Sequence, residues 1–338
     1  MGFGEKVVPQ DREPALEDEM LMARAAWLYY VGGLNQEATA RRLGITRARV
    51  NKLLQDARET GLVSITINPT NVGLLPVEEE IRIRFGLDFC ICTPALGSDR
   101  KGDEASEVLQ GFAFRAVGAA AASHLRSHLA EKEDAVIGTG WGRTLQQMTL
   151  QLAGVKAPRA RFISMMGSLT ANSAYNPFEV VHAFARATGG EGFVLPVPFI
   201  ADSVEDRKVL LSQRSVQRAL EIGRSATVAY ISIGELTEDS LLRRQKMLTS
   251  AELVELRAAG AVGDTNGIFF DDDGRPVDHP LNHRTLALGL DELRKANAVG
   301  LIAGRSKLRA AHAFLKSGTA RGLIIDGDTA LLLMKEIR

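Results

Sequence analysis

The chain has 338 residues, 45% of them hydrophobic and 24% charged, with 41 basic side chains against 41 acidic. That length suits a small N-terminal module followed by one large domain, with the apolar share of ordinary globular material. Composition excludes a membrane span of ~18–20 apolar residues. The polar, acidic start MGFGEKVVPQDREPALEDEM has neither the apolar segment of a secretory signal nor the Ser or Thr of a myristoylation signal, so a cytoplasmic protein is expected.

Residues 1–17 read as a disordered leader. A helix is predicted from Glu19 to Tyr30, with Met20, Ala23, Trp27 and Tyr30 at helical spacing. Trp27 reads as a core aromatic bracing the next two helices, in preference to a base-stacking platform. Asn35 is placed to cap a short helix through Arg42, and Leu43-Gly44 ends it, because glycine accepts the left-handed turn. Thr46 then caps a second helix, on which Val50, Leu53, Leu54 and Ala57 form one buried stripe. Opposite that stripe lie Ala48, Asn51, Lys52 and Gln55, flanked by Arg47 and Arg49. Helix, glycine turn, helix is the arrangement whose second helix enters the DNA major groove N-terminus first.

Charge agrees with that reading. From Arg41 to Arg58 there are six basic residues against Asp56 alone, within a chain that balances overall. A solvated helix face would carry similar charge, but here cap, turn glycine, stripe and basic face coincide in one segment. Arg41, Arg42, Arg49 and Lys52 are expected on phosphates, and Thr46, Arg47, Ala48 and Asn51 on base edges, with Asn35 and Gln36 completing the face. Gly61 ends the second helix, and Leu62–Ile67 alternates like a strand, either a wing or a cover. The turn-rich stretch Asn68–Pro76 makes the boundary, giving a DNA-binding domain over 18–68 and a second domain over 69–338.

Beyond it the rhythm becomes strand–helix alternation. Helices are predicted at Val77–Phe85, Ala105–Leu129, up to Leu152, Pro177–Thr188, Val204–Ile222, Leu241–Ala259, Leu286–Ala296, Lys307–Ser317 and Ala330–Ile337. Strands are predicted at Asp88–Thr93, Asp134–Gly138, Arg161–Met166, Gly192–Pro196, Thr227–Ile233, Ala298–Ala303 and Leu323–Asp326, with a hairpin at Gly267–Val277. Short apolar strands alternating with helices indicate a mostly parallel α/β sheet covered on both faces. Cys90 and Cys92 alternate on the first of these strands, so both point to one face; they read as buried reduced thiols, not a disulfide or metal pair.

Ligands of such sheets sit on loops at the carboxyl ends of strands. The loop Gly138-Thr139-Gly140-Trp141-Gly142-Arg143-Thr144 has glycines that let backbone N–H groups approach an anion, plus a following helix N-terminus and hydroxyl and guanidinium donors. It is neither a dinucleotide GxGxxG nor a Walker loop, and a tight turn with packing glycines reads equally well. Gly167-Ser168 also follows a strand. Asp264 is an acceptor for hydroxyls or a turn aspartate, and Lys307 a partner for an anion or a solvated lysine. Arg243 and Arg244 read more weakly. His124 and His128 are four apart but lack the glutamate of a metalloprotease helix; Asp271–Gly274 lacks the later ligands of a calcium loop and reads as a hairpin turn. No metal or cofactor is expected, and no nucleophile elbow is present.

Several motifs, in order, carry a resemblance: ARAAWLYYVGGLNQEATARRLGITRARVNKLLQDARETGLVSITI, GTGWGRTL, LPVPFI, GAVGDTNGIFFDDDG and AGRSKLRAAHAFLKSGTARGLIIDGDTALLLM. Along nearly its whole length the chain resembles the SorC family of sugar-responsive bacterial transcriptional regulators. The resemblance implies a C-terminal domain similar to sugar-phosphate isomerases of the glucosamine-phosphate deaminase type, serving as a sensor of a sugar, sugar phosphate or polyol. It implies a homo-tetramer built as a dimer of dimers, acting on double-stranded operator DNA. It places the phosphate loop on Thr139–Thr144, an acidic sugar contact on Asp264, a basic contact on Lys307, and a further one on Arg243 or Arg244. Where some members carry an arginine, this chain has Met166-Gly167-Ser168, which favours a singly phosphorylated or unphosphorylated ligand. Trp141 either stacks on a sugar face or packs. The rival expectation is an isomerase or deaminase fused to a DNA-binding module, with Asp264 as its acid or base but no partnering histidine.

Overall fold

The computed structural model describes residues 13–63, 65, 74–97, 103–168 and 176–337. The chain divides into two compact units, Met1–Ile65 and Thr66–Arg338. In the first, α1 (Glu13–Ala26) runs into one π-helical turn at Trp27–Val31, followed by α2 (Gln36–Leu43) and α3 (Arg47–Glu59). Residues 13–17, expected within the leader, belong to α1. Asn35 caps α2 by accepting from the Ala38 amide at 2.8 Å, and Gly44 takes the left-handed φ of 68° that ends it. Thr46 caps α3, accepting from the Arg49 amide at 3.2 Å.

Ala25, Ala26 and Ala40 pack against Val50, Leu53, Leu54 and Ala57, so the stripe on α3 is the core of this unit. Trp27 departs from expectation: it is 67% exposed and does not join that core. The π-turn shifts the register at Trp27, and Ala25, Ala26, Tyr29 and Tyr30 supply the inward face instead. Of the strand expected at Leu62–Ile67, the described residues Leu62, Val63 and Ile65 are not in a strand, and Val63 folds back to donate to the Ala57 carbonyl at 2.9 Å. Ser64, Thr66 and Ile67 lie outside the described residues.

The second unit is built on a seven-stranded sheet. Its strands are β1 (Phe89–Cys92), β2 (Val136–Thr139), β3 (Arg161–Ser168), β4 (Glu191–Pro198), β5 (Val228–Ser232), β9 (Ala298–Ile302) and β10 (Gly322–Ile325). All pairs are parallel, in the order β1-β10-β9-β5-β2-β3-β4. The inner strands β2, β9 and β10 are buried along their whole length, as a sheet covered on both faces requires. Along β5, Val228 and Tyr230 enter one apolar layer and Ala229 and Ile231 the other. Cys90 and Cys92 are free thiols sharing one of these layers.

Three short strands, β6 (Gly234–Glu235), β7 (Gly263–Thr265) and β8 (Ile268–Phe270), form a separate antiparallel sheet. Its hairpin turns at Asn266-Gly267, earlier than the hairpin expected; a second turn at Asp271–Arg275 brings Pro276 back beside Phe270. Among the helices, α4 (Leu75–Phe85), α5 (Asp103–Glu131), α6 (Arg143–Leu150) and α7 (Pro177–Thr188) match their expected places closely.

Two expected long helices are each broken. Val204–Ile222 is α8 (Val204–Ser212) and α9 (Arg214–Arg224), separated by extended Gln213, and Leu241–Ala259 is α10 (Leu241–Arg244) and α11 (Ser250–Ala258). Thr249 begins α11 with a capping box to Glu252. The expected Leu286–Ala296 helix is helical only at α13 (Leu290–Lys295), after a short unpredicted α12 (Pro280–Arg284). Leu286 and Ala287 instead run beside β3, where the Gly167 amide donates to the Leu286 carbonyl at 2.8 Å. A 3-10 turn at Arg305–Lys307 precedes α14 (Leu308–Lys316), and α15 (Gly327–Ile337) closes the chain. Among the described residues no helix is long and apolar enough to cross a membrane.

Candidate functional site

On the first unit, Thr46, Arg47, Ala48, Asn51 and Lys52 are exposed together on α3, with Arg41 and Arg42 exposed at the end of α2. The Arg47 Nε donates to Gln36 Oε1 at 3.4 Å, tying the tip of α3 to α2. Arg49 is only half exposed and pairs with Asp18 of α1 at 2.7 Å, so its charge is partly answered within the protein. The Asn35 side-chain oxygen is occupied by its own capping bond.

On the second unit the topology selects one place. From β2 the sheet grows through β3 and β4 in one direction, and from β5 through β9 and β10 in the other. The β2–β5 junction is therefore the switch point, where loops leave in opposite directions and open a crevice. The loop after β2 supplies Trp141, Gly142 and Arg143; the end of β5 supplies Ser232, and the segment after it Gly234 and Glu235. Gly142 has φ 106° and starts α6 without a capping side chain. Ser240, Leu241 and Leu242 close one side, Phe114 of α5 another, and Asp264 and Lys307 sit within. The enclosed volume is about 30 Å³, room for roughly two waters.

Burial dominates the charges. Asp264 is 3% exposed, and burial pushes its carboxyl up to about 7; the nearby Glu235 adds to this, while the Gly267 amide and Lys307 oppose it. Lys307 is 6% exposed, and burial also outweighs its acidic neighbours Glu235, Asp264 and Asp326, drawing its ammonium below the usual lysine range; Arg143 acts in the same direction as burial. The Phe114 ring lies 4.4 Å from the Arg143 guanidinium and 5.7 Å from the Lys307 ammonium, so one aromatic ring serves both cations. Thr144 Oγ1, Ser240 Oγ and both amide atoms of Asn266 are buried without a hydrogen-bond partner among the described residues.

The cleft thus gathers Trp141, Gly142, Arg143, Thr144, Asp264 and Lys307 from the sequence reading. Other expected residues fall elsewhere. Gly138 is a packing glycine, since a Cβ would strike Met165 and Ala229, and the Thr139 hydroxyl points into the sheet, donating to the Ile163 carbonyl at 3.3 Å. Gly140 backs the cleft against β5. Gly167 packs on the Pro198 backbone and Ser168 accepts from the Phe199 amide at 2.9 Å; neither borders the cleft, and residues 169–175 lie outside the described residues. Arg243 is engaged by Glu238, the Leu248 carbonyl and Ser250, and Arg244 is exposed, so neither borders it. Sequence reading missed Glu235 and Ser232, although both sit at a strand end where loop residues merit notice, and Phe114, which nothing distinguishes within an Ala-rich helix.

Comparison with known proteins agrees with this architecture. The Sugar-bind family, described as a sugar-binding domain, matches residues 70–335. The erythritol catabolism regulatory protein EryD of Brucella abortus is 35% identical over 317 residues, covering 94% of this chain and 97% of that protein. The transcriptional regulator LsrR of Klebsiella pneumoniae is 29% identical over 325 residues, with 94% and 93% covered. The full-length sorbitol operon regulator SorC of Klebsiella pneumoniae superposes with a TM-score of 0.66 at 23% identity, over 94% of this chain and 99% of that one, a likeness of fold. The chain is a two-part protein with a helical N-terminal unit and a parallel α/β sugar-binding unit. It belongs to the SorC family of sugar-binding transcriptional regulators.

Proposed function

We propose that this protein is a cytoplasmic one-component regulator of a carbohydrate or polyol catabolic operon, binding operator DNA through α3 and a sugar, sugar phosphate or polyol in the β2–β5 cleft. The observation that carries the effector half is the cleft's position: Arg143, Lys307, Asp264 and the open start of α6 converge at the switch point of a sheet belonging to a sugar-binding family. Two cations and a helix N-terminus suit a phosphate or similar anion, and two carboxylates accept from hydroxyls. The erythritol catabolism of the Brucella relative makes short polyols and their phosphates the first compounds to test.

We infer that Phe114 or the Ser240–Leu242 side moves to open the cleft to a polyol. A ligand that favours the opened arrangement shifts the balance between the two, which is the differential affinity that control of DNA binding requires. Homo-tetramers would present paired recognition helices to paired half-sites. Turnover is not part of this reading: Asp264 has the raised pKa of an acid or base, but no histidine borders the cleft among the described residues. A thermal-shift screen of C3–C6 polyols, sugars and their monophosphates tests it. At least one compound should raise Tm at saturating concentration without being consumed; a uniformly flat screen, or conversion of the compound, contradicts it.

A further inference from the structure

We propose that Asn266 reads a pair of neighbouring hydroxyls on the effector and is the specificity-determining amide of the cleft, an assignment that rests on the sensing function above. Asn266 stands at the tip of the β7–β8 hairpin, two residues beyond Asp264, with φ 50°. Asn-Gly suits a two-residue hairpin turn, because both positions take positive φ readily. Turn chemistry accounts for the backbone but not for the side chain. Such a tip normally lies in water, whereas Asn266 is 1% exposed and neither its Oδ1 nor its Nδ2 has a partner among the described residues. A buried amide left unpaired at both ends is destabilising. Glycine at this position would make the same turn without that cost.

Its surroundings set the unpaired amide against the loop that leads into the cleft wall, although Asn266 does not itself border the cleft in this form. A Cβ on Gly140 would lie 3.2 Å from Asn266 Oδ1 and 3.3 Å from the Ile231 Cα, so the amide rests on the β2 loop where it crosses β5. That is the switch point, and the same loop continues into Trp141 and Gly142 of the cleft wall. The absence of a Cβ at Gly140 is what admits the amide there. An amide offers an acceptor and two donors side by side. One hydroxyl of a vicinal pair can donate to Oδ1 while the next accepts from Nδ2, and Asp264 beside them accepts from a third. The ligand class is therefore a compound with adjacent hydroxyls, a polyol or open-chain sugar, bearing its anionic group toward Arg143 and Lys307.

The test is calorimetric titration of the full chain and of Asn266→Gly with erythritol 4-phosphate, xylitol 5-phosphate and sorbitol 6-phosphate, their unphosphorylated polyols, and 4-hydroxybutyl phosphate, which lacks the internal hydroxyls. The wild type should bind at least one polyol phosphate about tenfold or more tighter than 4-hydroxybutyl phosphate. Asn266→Gly should lose that preference, weakening roughly tenfold to a hundredfold for the polyol phosphate and little for the hydroxybutyl compound. Its Tm should match or exceed the wild type's, since an unpaired buried group is removed. Asn266→Asp, which keeps the turn and the acceptor but loses the donors, should show the same loss and serves if the glycine variant is unstable. Equal polyol affinity in variant and wild type, or equal losses for both kinds of phosphate, overturns the role of Asn266 while leaving the sensing function standing. A wild type that binds none of the compounds overturns both.

Discussion

At the scale of single residues, the most consequential group is Asp264. Its carboxyl is held near 7, against an ordinary 3.8, mainly because burial disfavours the charged form. The folded chain therefore keeps a proton that the unfolded chain loses. That contribution to stability is whole below about pH 4, falls as pH rises to about 7, and is gone above it. Asp264→Asn mimics the protonated form at every pH. Thermal melts should show the variant level with the wild type near pH 3.5 and more stable at pH 8, by up to on the order of 4 kcal/mol. A wild type and variant with parallel pH profiles would show that Asp264 is ionised in the fold. Arg143 and Lys307 pose the complementary problem of two cations in one small space, which the Phe114 ring beside both eases.

At the scale of elements, α3 in the proposed DNA reading divides its labour by position. Arg47 stands at the N-terminal tip, where a recognition helix meets base edges, and Lys52 a turn further on, where phosphates pass. Binding measured across salt concentrations separates them. Lys52→Ala should weaken all duplexes alike and reduce the salt slope by about 1, while Arg47→Ala should cost about 1–3 kcal/mol on the operator and less on unrelated DNA. Equal discrimination by Arg47→Ala and wild type would remove Arg47 from base reading.

Much of this helical unit was legible in the sequence, because caps, turn glycine and stripe are local signals: Asn35, Gly44 and Thr46 do in the structure what their chemistry dictates. Legibility failed where tertiary pairing overrode periodicity. Helical spacing runs on through Gln213 and through Met247–Thr249, so the breaks before α9 and α11 were read as continuous helix. Leu286 and Ala287 look helical in sequence yet pair beside β3. Strand-end logic found Arg143, Asp264 and Lys307, but Phe114 enters the cleft through packing between distant segments, which no local pattern records.

At the scale of the whole molecule, one chain joins a basic helical unit to a parallel α/β sugar-binding unit. The two halves were distinguishable from composition alone: a concentrated positive charge in the first and strand–helix alternation in the second. What alternation could not supply was strand order, since the switch between β2 and β5 arises only when the chain reverses direction after β4. That reversal explains why residues 142–143, 235, 264 and 307 meet at one crevice.

The most direct check of the central claim is fluorescence anisotropy of labelled promoter DNA with the full chain, with and without polyol and sugar monophosphates, repeated for Lys307→Met. Binding should fall steeply with salt, and at least one compound should change wild-type affinity by about fivefold or more, the span of ordinary allosteric coupling. Lys307→Met should bind the same DNA equally well and ignore that compound. DNA affinity that no compound alters, or a Lys307→Met protein that responds as the wild type does, would contradict the account.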